Sequence, residues 1–108
     1  MPNYELLKQA PFSLGDASVT WVRETLEGMS EDEKIGQLFH LVTYTSDEAA
    51  LRALCETYKP GGMMARMLPL EEACRVSNAL QKYSKIPMLI SANFEAGGDG
   101  MVAEGTNV

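Results

Sequence analysis

Polar side chains follow each of three apolar segments that read as β-strands in this 108-residue sequence. His40 and Thr43 lie at the end of the first segment, Arg66 follows the second, and Asn93 and Glu95 follow the third. The carboxyl ends of parallel strands meet at one edge of a sheet, where the following loops converge on a ligand. We therefore predict that His40, Arg66, Asn93 and Glu95 line a ligand-binding site.

Two of these residues also have a purely structural interpretation. His40 lies within an apolar strand, so a hydrogen-bonded core histidine explains it as well as a substrate contact does. Arg66 can pair with Glu71 or Glu72 at the start of the next helix, although its guanidinium also suits bidentate contact with vicinal hydroxyls or a carboxylate. Residue type alone does not separate these alternatives.

A glycine-rich loop, Glu95-Ala96-Gly97-Gly98-Asp99-Gly100, follows the third apolar segment. Glycine keeps the backbone slim where a ligand approaches, so Gly97 and Gly98 join the predicted binding residues. Residues 98–103 also match G-x-G-x-x-A, the form of a dinucleotide-binding turn. That match is weak because the motif normally follows the first strand of its unit and needs an acidic residue about twenty positions later.

Other catalytic and metal-binding patterns are absent from the sequence. It contains no P-loop lysine motif, no G-x-S-x-G serine and no H-E-x-x-H. The histidine, His40, and the two cysteines, Cys55 and Cys74, do not form a recognised zinc-binding spacing. Both cysteines fall among apolar residues on predicted buried helix faces, so we expect reduced core thiols, no metal site and no cofactor.

The charge of the chain argues against two classes of partner. Fifteen acidic and nine basic side chains give a net charge of −6, opposite in sign to a surface that binds phosphate backbones or anionic lipid. We therefore expect neither a nucleic-acid nor a membrane partner.

The sequence begins without the basic segment and the apolar core of a secretory leader, which predicts a cytoplasmic location.

Capping patterns and apolar periodicity predict the elements that position these residues. Asp16 or Ser18 is predicted to cap a first helix that ends near Gly28, with Trp21 as a packing anchor. A capping box at residues 30–33 opens a short second helix, and another at 45–48 opens a longer one. Pro69 is expected at the first position of a further helix. Strands are predicted over 37–43, 61–67 and 86–93.

Strands that alternate with helices predict an α/β fold with parallel strands and right-handed crossovers. The local pattern leaves open whether the three strands begin a barrel or a doubly wound sheet. Residues 1–16 contain Pro2, Pro11 and Gly15 and show no period. We predict that residues 1–16 form an extended arm and that residues 17–108 form the folded domain.

Three segments resemble glycoside hydrolase family 3. Residues 22–39 resemble its LLxxMTLEEKIGQLF segment, residues 59–64 its PGGxxx second strand, and residues 86–98 its IPLLIAxDxEGG third strand and loop. Three motifs in the correct order and at compatible spacing are more specific than any one of them. The resemblance implies that the chain holds the first three βα units of a TIM-type (β/α)₈ barrel and is an incomplete domain.

The resemblance also implies a retaining enzyme that removes β-linked glucose or N-acetylglucosamine from non-reducing ends. In the family, the nucleophile and the acid/base group come from later parts of the protein, so this chain alone is expected to be inactive. The family motif has an acidic residue that contacts sugar hydroxyls where this chain has Asn93, and Glu95 matches the motif's glutamate. We interpret Asn93 as a subfamily variation.

Two functions from different classes remain open. The chain is either the N-terminal part of a β-glycosidase, whose full-length form binds a β-linked saccharide, or a non-catalytic binding module derived from a truncated barrel. A dinucleotide-binding unit built on Gly98 and Gly100 ranks third. Because open sheet edges favour association, we expect the chain to bind the rest of a barrel or to self-associate.

Overall fold

The computed structural model describes residues 2–95, 97–103 and 105 of the chain. The chain forms two compact units, Met1–Lys34 and Ile35–Val108. The arm predicted over residues 1–16 is not extended throughout, because Tyr4–Lys8 form a 3-10 helix. The Asn3 side chain caps this turn by accepting a hydrogen bond from the Glu5 amide at 3.2 Å. The proposed domain boundary at residue 17 stays a prediction.

Helix α1 spans Asp16–Gly28, which confirms the predicted helix and its end, but its N-cap is Gly15 rather than Asp16 or Ser18. Val19 is its buried residue, whereas Trp21 is 53% exposed. The expectation that Trp21 is a packing anchor is therefore wrong. Residues two positions apart on a helix do not share a face, so a helix that buries Val19 turns Trp21 away from the same contact.

The capping box at residues 30–33 forms as predicted. The Glu33 amide donates to Ser30 Oγ at 3.2 Å, and the Ser30 amide donates to Glu33 Oε2 at 2.8 Å. These two bonds satisfy backbone donors that have no partner within a helix. Helix α2 follows over Glu31–Gly36.

A three-stranded parallel sheet with the order β1-β2-β3 forms the second unit together with two helices. The strands are β1 (His40–Val42), β2 (Gly62–Met64) and β3 (Leu89–Ser91), and the connections contain α3 (Glu48–Tyr58) and α4 (Leu70–Tyr83). This arrangement confirms the prediction of an incomplete α/β fold with parallel strands. The regular strands are three residues long and so shorter than predicted.

The core of this unit lies between one face of the sheet and the two long helices. Leu51 and Cys55 of α3, Val76 and Leu80 of α4, and Met63 of β2 are buried together. Met63 pairs in register with Leu41 and Ile90, which pack against the same cluster. Successive side chains in a strand point to opposite faces. The other face is open in part, and Val42 and Leu89 there are 42% and 73% exposed.

Three local predictions are corrected by the structure. Cys74 is exposed, because the buried face of α4 is set by Ala73, Val76 and Leu80 and the residue after Ala73 turns away from it. Asp47 rather than Thr45 caps α3, since its Oδ1 accepts from the Ala50 amide at 2.8 Å. Pro69 is the N-cap of α4 and not its first residue, because its ψ of 147° is extended.

Candidate functional site

A cleft lies at the carboxyl ends of β2 and β3. It is lined by Met64, Ala65, Arg66, Met67, Asn93, Glu95, Asp99 and Gly100. Its volume is about 230 Å³, which is below the roughly 300–1,000 Å³ of a complete small-molecule site. The structure therefore brings three predicted residues, Arg66, Asn93 and Glu95, into one partial site.

Hydrogen bonding between strands continues past the regular sheet and places these residues. The Thr43 amide donates to the Met64 carbonyl at 3.2 Å, and the Ala65 amide donates to the Ser91 carbonyl at 2.8 Å. The residues that follow each strand are therefore held at one edge. Arg66 comes directly after Ala65 and is exposed toward the cleft edge.

Arg66 contacts an aromatic ring from the loop that follows β1. Its guanidinium carbon lies 5.4 Å from the centroid of the Tyr44 ring, which is the geometry of a cation–π contact. Within the described residues, Arg66 forms no ion pair, and Glu72 lies instead 3.9 Å from Arg75. The alternative that Arg66 pairs with Glu71 or Glu72 is therefore not the arrangement found. Its donors are not occupied by a carboxylate of the described chain.

The loop after β3 folds back against the end of that strand. Gly100 lies so close to Asn93 that a Cβ atom on Gly100 would overlap the Asn93 carbonyl oxygen. The Leu68 amide donates to the Met101 carbonyl at 3.1 Å, and the Ala103 amide donates to the Leu68 carbonyl at 2.8 Å. These contacts turn Asp99 into the cleft.

The other predicted binding residues do not line this cleft. His40 is the first residue of β1 rather than its last, and its Nε2 lies 2.8 Å from Ser91 Oγ. Its ring covers Gly62 of the strand between them. Gly97 and Gly98 begin a 3-10 helix, Gly97–Gly100, beside the cleft. A binding role for His40, Gly97 and Gly98 stays a prediction. Ala96 lies outside the described residues.

The G-x-G-x-x-A match at residues 98–103 does not open an α-helix. Its first residues belong to the 3-10 helix, and Val102 forms a parallel bridge with Leu68. A dinucleotide turn normally places its pyrophosphate at the N-terminus of a long helix. This segment provides no such helix in the part of the chain that the structure describes.

Asp99 lines the cleft and Tyr44 contacts Arg66, but neither residue was among the predicted ones. Tyr44 follows β1 and could have been found by the same strand-end criterion that identified Arg66. Asp99 offered no such signal, because its position depends on how the glycine loop folds back.

Among residues 2–95, 97–103 and 105, no three histidine, cysteine or acidic side chains are grouped to hold a metal ion. None of the helices there is long and apolar enough to cross a membrane.

The parallel strands and their crossover helices define an incomplete α/β domain with a polar cleft at the carboxyl edge of its sheet. No protein-family model matches the chain. A β-N-acetylglucosaminidase/β-glucosidase of Cellulomonas fimi is 47% identical over 102 residues, which are 94% of this chain and 18% of that protein.

Two solved structures are also similar to the chain. One, described as "Beta-glucoside phosphorylase BglX bound to 2FGlc", aligns with a TM-score of 0.83 and 34% identity over 96% of this chain and 19% of its own. The other, "Beta-glucoside phosphorylase BglX", aligns with a TM-score of 0.80 and 34% identity over 96% and 18%. The chain thus spans less than a fifth of each relative. These matches confirm the resemblance to glycoside hydrolase family 3.

Proposed function

We propose that this chain is the N-terminal part of a retaining β-glycosidase and forms one wall of its sugar-binding site. The observation that supports this best is the cleft where Arg66, Asn93 and Glu95 lie together. Arginine supplies donors, a carboxylate supplies acceptors and an amide supplies both. Hydroxyl groups donate and accept, so they match this set. The name of the Cellulomonas fimi relative supports terminal β-linked glucose or N-acetylglucosamine as the substrate.

We propose further that the remaining strands of a (β/α)₈ barrel complete the site. The small volume of the cleft and the exposed side chains of Val42 and Leu89 support this. A retaining glycosidase needs two carboxyl groups about 5–5.5 Å apart, one as nucleophile and one as acid/base. In this proposal the rest of the protein supplies both groups. The 108-residue chain alone is then inactive.

The test of inactivity uses the purified 108-residue chain with p-nitrophenyl β-glucoside and p-nitrophenyl β-N-acetylglucosaminide. The expected rate of p-nitrophenol release equals that of an enzyme-free control. A Glu95→Gln variant is the control for a contaminating glycosidase, because the rate from a contaminant would be the same with the parent chain and with the variant. Release by the parent chain that the Glu95→Gln variant lacks would show that the chain itself is catalytic.

A second candidate reaction is phosphorolysis, which is favoured by the descriptions of both similar structures as β-glucoside phosphorylases. In that reaction the glycosidic C–O bond breaks, a phosphate oxygen bonds to the anomeric carbon, and the leaving oxygen takes up a proton. The product is a sugar 1-phosphate rather than a free sugar. Assay of the complete protein with and without inorganic phosphate separates the two, since hydrolysis releases free sugar in both conditions.

The binding-module alternative has the same cleft without a catalytic partner. The gene sequence downstream of codon 108 separates the two classes. A reading frame that continues into further strand and helix units supports the enzyme, and a stop codon supports the module.

Self-association through the open sheet is the remaining part of the proposal. The exposed side chains of Phe39, Val42 and Leu89 favour it. Sedimentation velocity of the 108-residue chain over a range of concentrations should show species larger than 11.8 kDa. A single monomeric species at all concentrations would contradict it.

A further inference from the structure

The cleft contains a guanidinium and a carboxylate that do not pair with each other. Arg66 and Glu95 both line it, and both are exposed. Such groups ordinarily form an ion pair, because the planar guanidinium can donate two parallel hydrogen bonds to a carboxylate. Yet none of the ion pairs within residues 2–95, 97–103 and 105 includes Arg66. The Arg66 guanidinium lies over the Tyr44 ring instead, 5.4 Å from its centroid.

This contact holds the guanidinium without using its hydrogen-bond donors. The electron-rich face of an aromatic ring attracts a cation electrostatically, whereas a carboxylate would accept hydrogen bonds from its N–H groups. Arginine carries five such donors and no acceptor. Arg66 is therefore restrained beside the cleft while its donors stay available to a ligand, and the Glu95 oxygens stay available as acceptors.

Backbone hydrogen bonds fix the positions of both partners. The Thr43 amide donates to a carbonyl of β2 at 3.2 Å, directly before Tyr44. Thr43 Oγ1 accepts from the Thr45 amide at 3.3 Å and donates to the Thr45 carbonyl at 3.4 Å, which fastens the turn across Tyr44. The Ala65 amide donates to a carbonyl of β3 at 2.8 Å, directly before Arg66. Side chains that start from fixed backbone positions lose less freedom when a ligand binds.

We propose that Tyr44 is a positioning residue, whose ring holds the Arg66 guanidinium away from Glu95 so that both groups can bind the hydroxyl groups of the saccharide. This inference rests on the proposed function and deepens it. Tyr44 acts through Arg66 and does not itself touch the sugar. Without the ring, Arg66 is free to turn toward Glu95, and that pair would occupy a donor and an acceptor of the site together.

The test uses the complete protein, because the cleft of this chain is only one wall of the proposed site. Release of p-nitrophenol from p-nitrophenyl β-glucoside is followed with inorganic phosphate present, so that hydrolysis and phosphorolysis are both detected. The competitive inhibition constant of methyl β-thioglucoside then measures sugar binding. It is determined for the parent, Tyr44→Ala, Tyr44→Phe, Arg66→Ala and the double variant Tyr44→Ala/Arg66→Ala. The matched control is Tyr58→Ala, which removes an exposed ring that precedes β2, whereas the cleft lies where β2 ends.

Arg66→Ala should raise the inhibition constant about ten- to a hundredfold, because hydrogen bonds from a charged donor are lost. Tyr44→Ala should raise it about two- to fivefold, which is the value of an exposed cation–π contact. Tyr44→Phe keeps the ring face and should bind as the parent does, and so should Tyr58→Ala. In the Arg66→Ala background, Tyr44→Ala should have no further effect, because the group that it positions is absent.

The possible results separate the inference from the proposed function. If the complete parent protein releases no p-nitrophenol from the β-glucoside or the β-N-acetylglucosaminide, the proposed function is refuted, and the role of Tyr44 with it. If the parent is active, the inference alone is overturned by a Tyr44→Ala variant that binds as the parent does. An equal loss from Tyr44→Ala with and without Arg66 also overturns it, because Tyr44 would then contact the sugar directly. Should Tyr44→Ala fail to fold, Tyr44→Leu takes its place, since leucine keeps apolar bulk without a ring face.

Discussion

Substitution of Gly62 by alanine tests the contact that joins the outer strands of the sheet. The imidazole of His40 crosses Gly62 to reach Ser91 Oγ, with 2.8 Å between that oxygen and Nε2. A Cβ atom on Gly62 would overlap Nδ1 of the ring and would lie 2.5 Å from its Cε1. We expect the ring to rotate away in Gly62→Ala, which breaks the bond to Ser91.

The expected cost follows from three terms. Loss of the His40–Ser91 hydrogen bond costs about 0.5–1.5 kcal/mol. A ring forced away from its preferred rotamer costs about 0.5–1.5 kcal/mol. Replacing glycine by alanine in a strand restricts the unfolded chain and so stabilises the folded state by about 0.4–1 kcal/mol. The free energy of unfolding should therefore fall by about 1 kcal/mol.

The assay is urea denaturation followed by circular dichroism, applied to the parent chain, Gly62→Ala, His40→Ala and the double variant. In the His40→Ala background the ring is absent, so Gly62→Ala should be neutral or stabilising by about 0.5 kcal/mol. The coupling between the two sites is then about 1–2 kcal/mol. An equal cost of Gly62→Ala in both backgrounds would refute the reasoning, because the alanine would then be clashing with something other than the ring.

Three further predictions concern the helices. Leu80→Ala should lower the free energy of unfolding by about 2–5 kcal/mol in urea denaturation, because Leu80 is fully buried and leaves a cavity. Hydrogen bonds from Tyr83, at 2.5 Å, and from the neighbouring lysine lower the pKa of Glu48 below its ordinary 4.5. The stabilisation is thus present above pH 4.5 and is lost as the pH falls through the folded pKa. Glu48→Gln should lower the urea midpoint at pH 7 and not in strong acid, and a pH-independent difference would contradict this. Burial raises the pKa of the Cys55 thiol, so a thiol reagent should modify exposed Cys74 rapidly and Cys55 after unfolding, as peptide mapping would show.

The helices were predictable because their signals are local. Ser30 and Glu33 form a capping box from residues three positions apart, and no distant contact is needed to define it. The end of α1 near Gly28 was found for the same reason, whereas the N-caps of α1 and α3 differ from the predicted ones. The exposure of Cys74 was not predictable from apolar neighbours, because one residue along a helix turns a side chain by about 100°. A residue next to a buried face can therefore lie outside it.

The candidate site was predictable in part. Arg66 and Asn93 were found because parallel strands bring their carboxyl ends together, whatever the details of packing. The partner of Arg66 was not predictable, since Tyr44 follows another strand and competes with Glu71 and Glu72, which are nearer in sequence. Local sequence favours the near carboxylates, whereas the structure places the aromatic ring beside the guanidinium.

By itself, the sequence determined the alternation of strands and helices, the capping box of Ser30 and Glu33, the negative charge and the family resemblance. Each of these depends on residue type and short spacing. Only the tertiary structure decided that His40 binds Ser91 across Gly62 and that Asp99 lines the cleft. Those two outcomes depend on backbone approach between segments far apart in the chain, and no local pattern encodes such a distance.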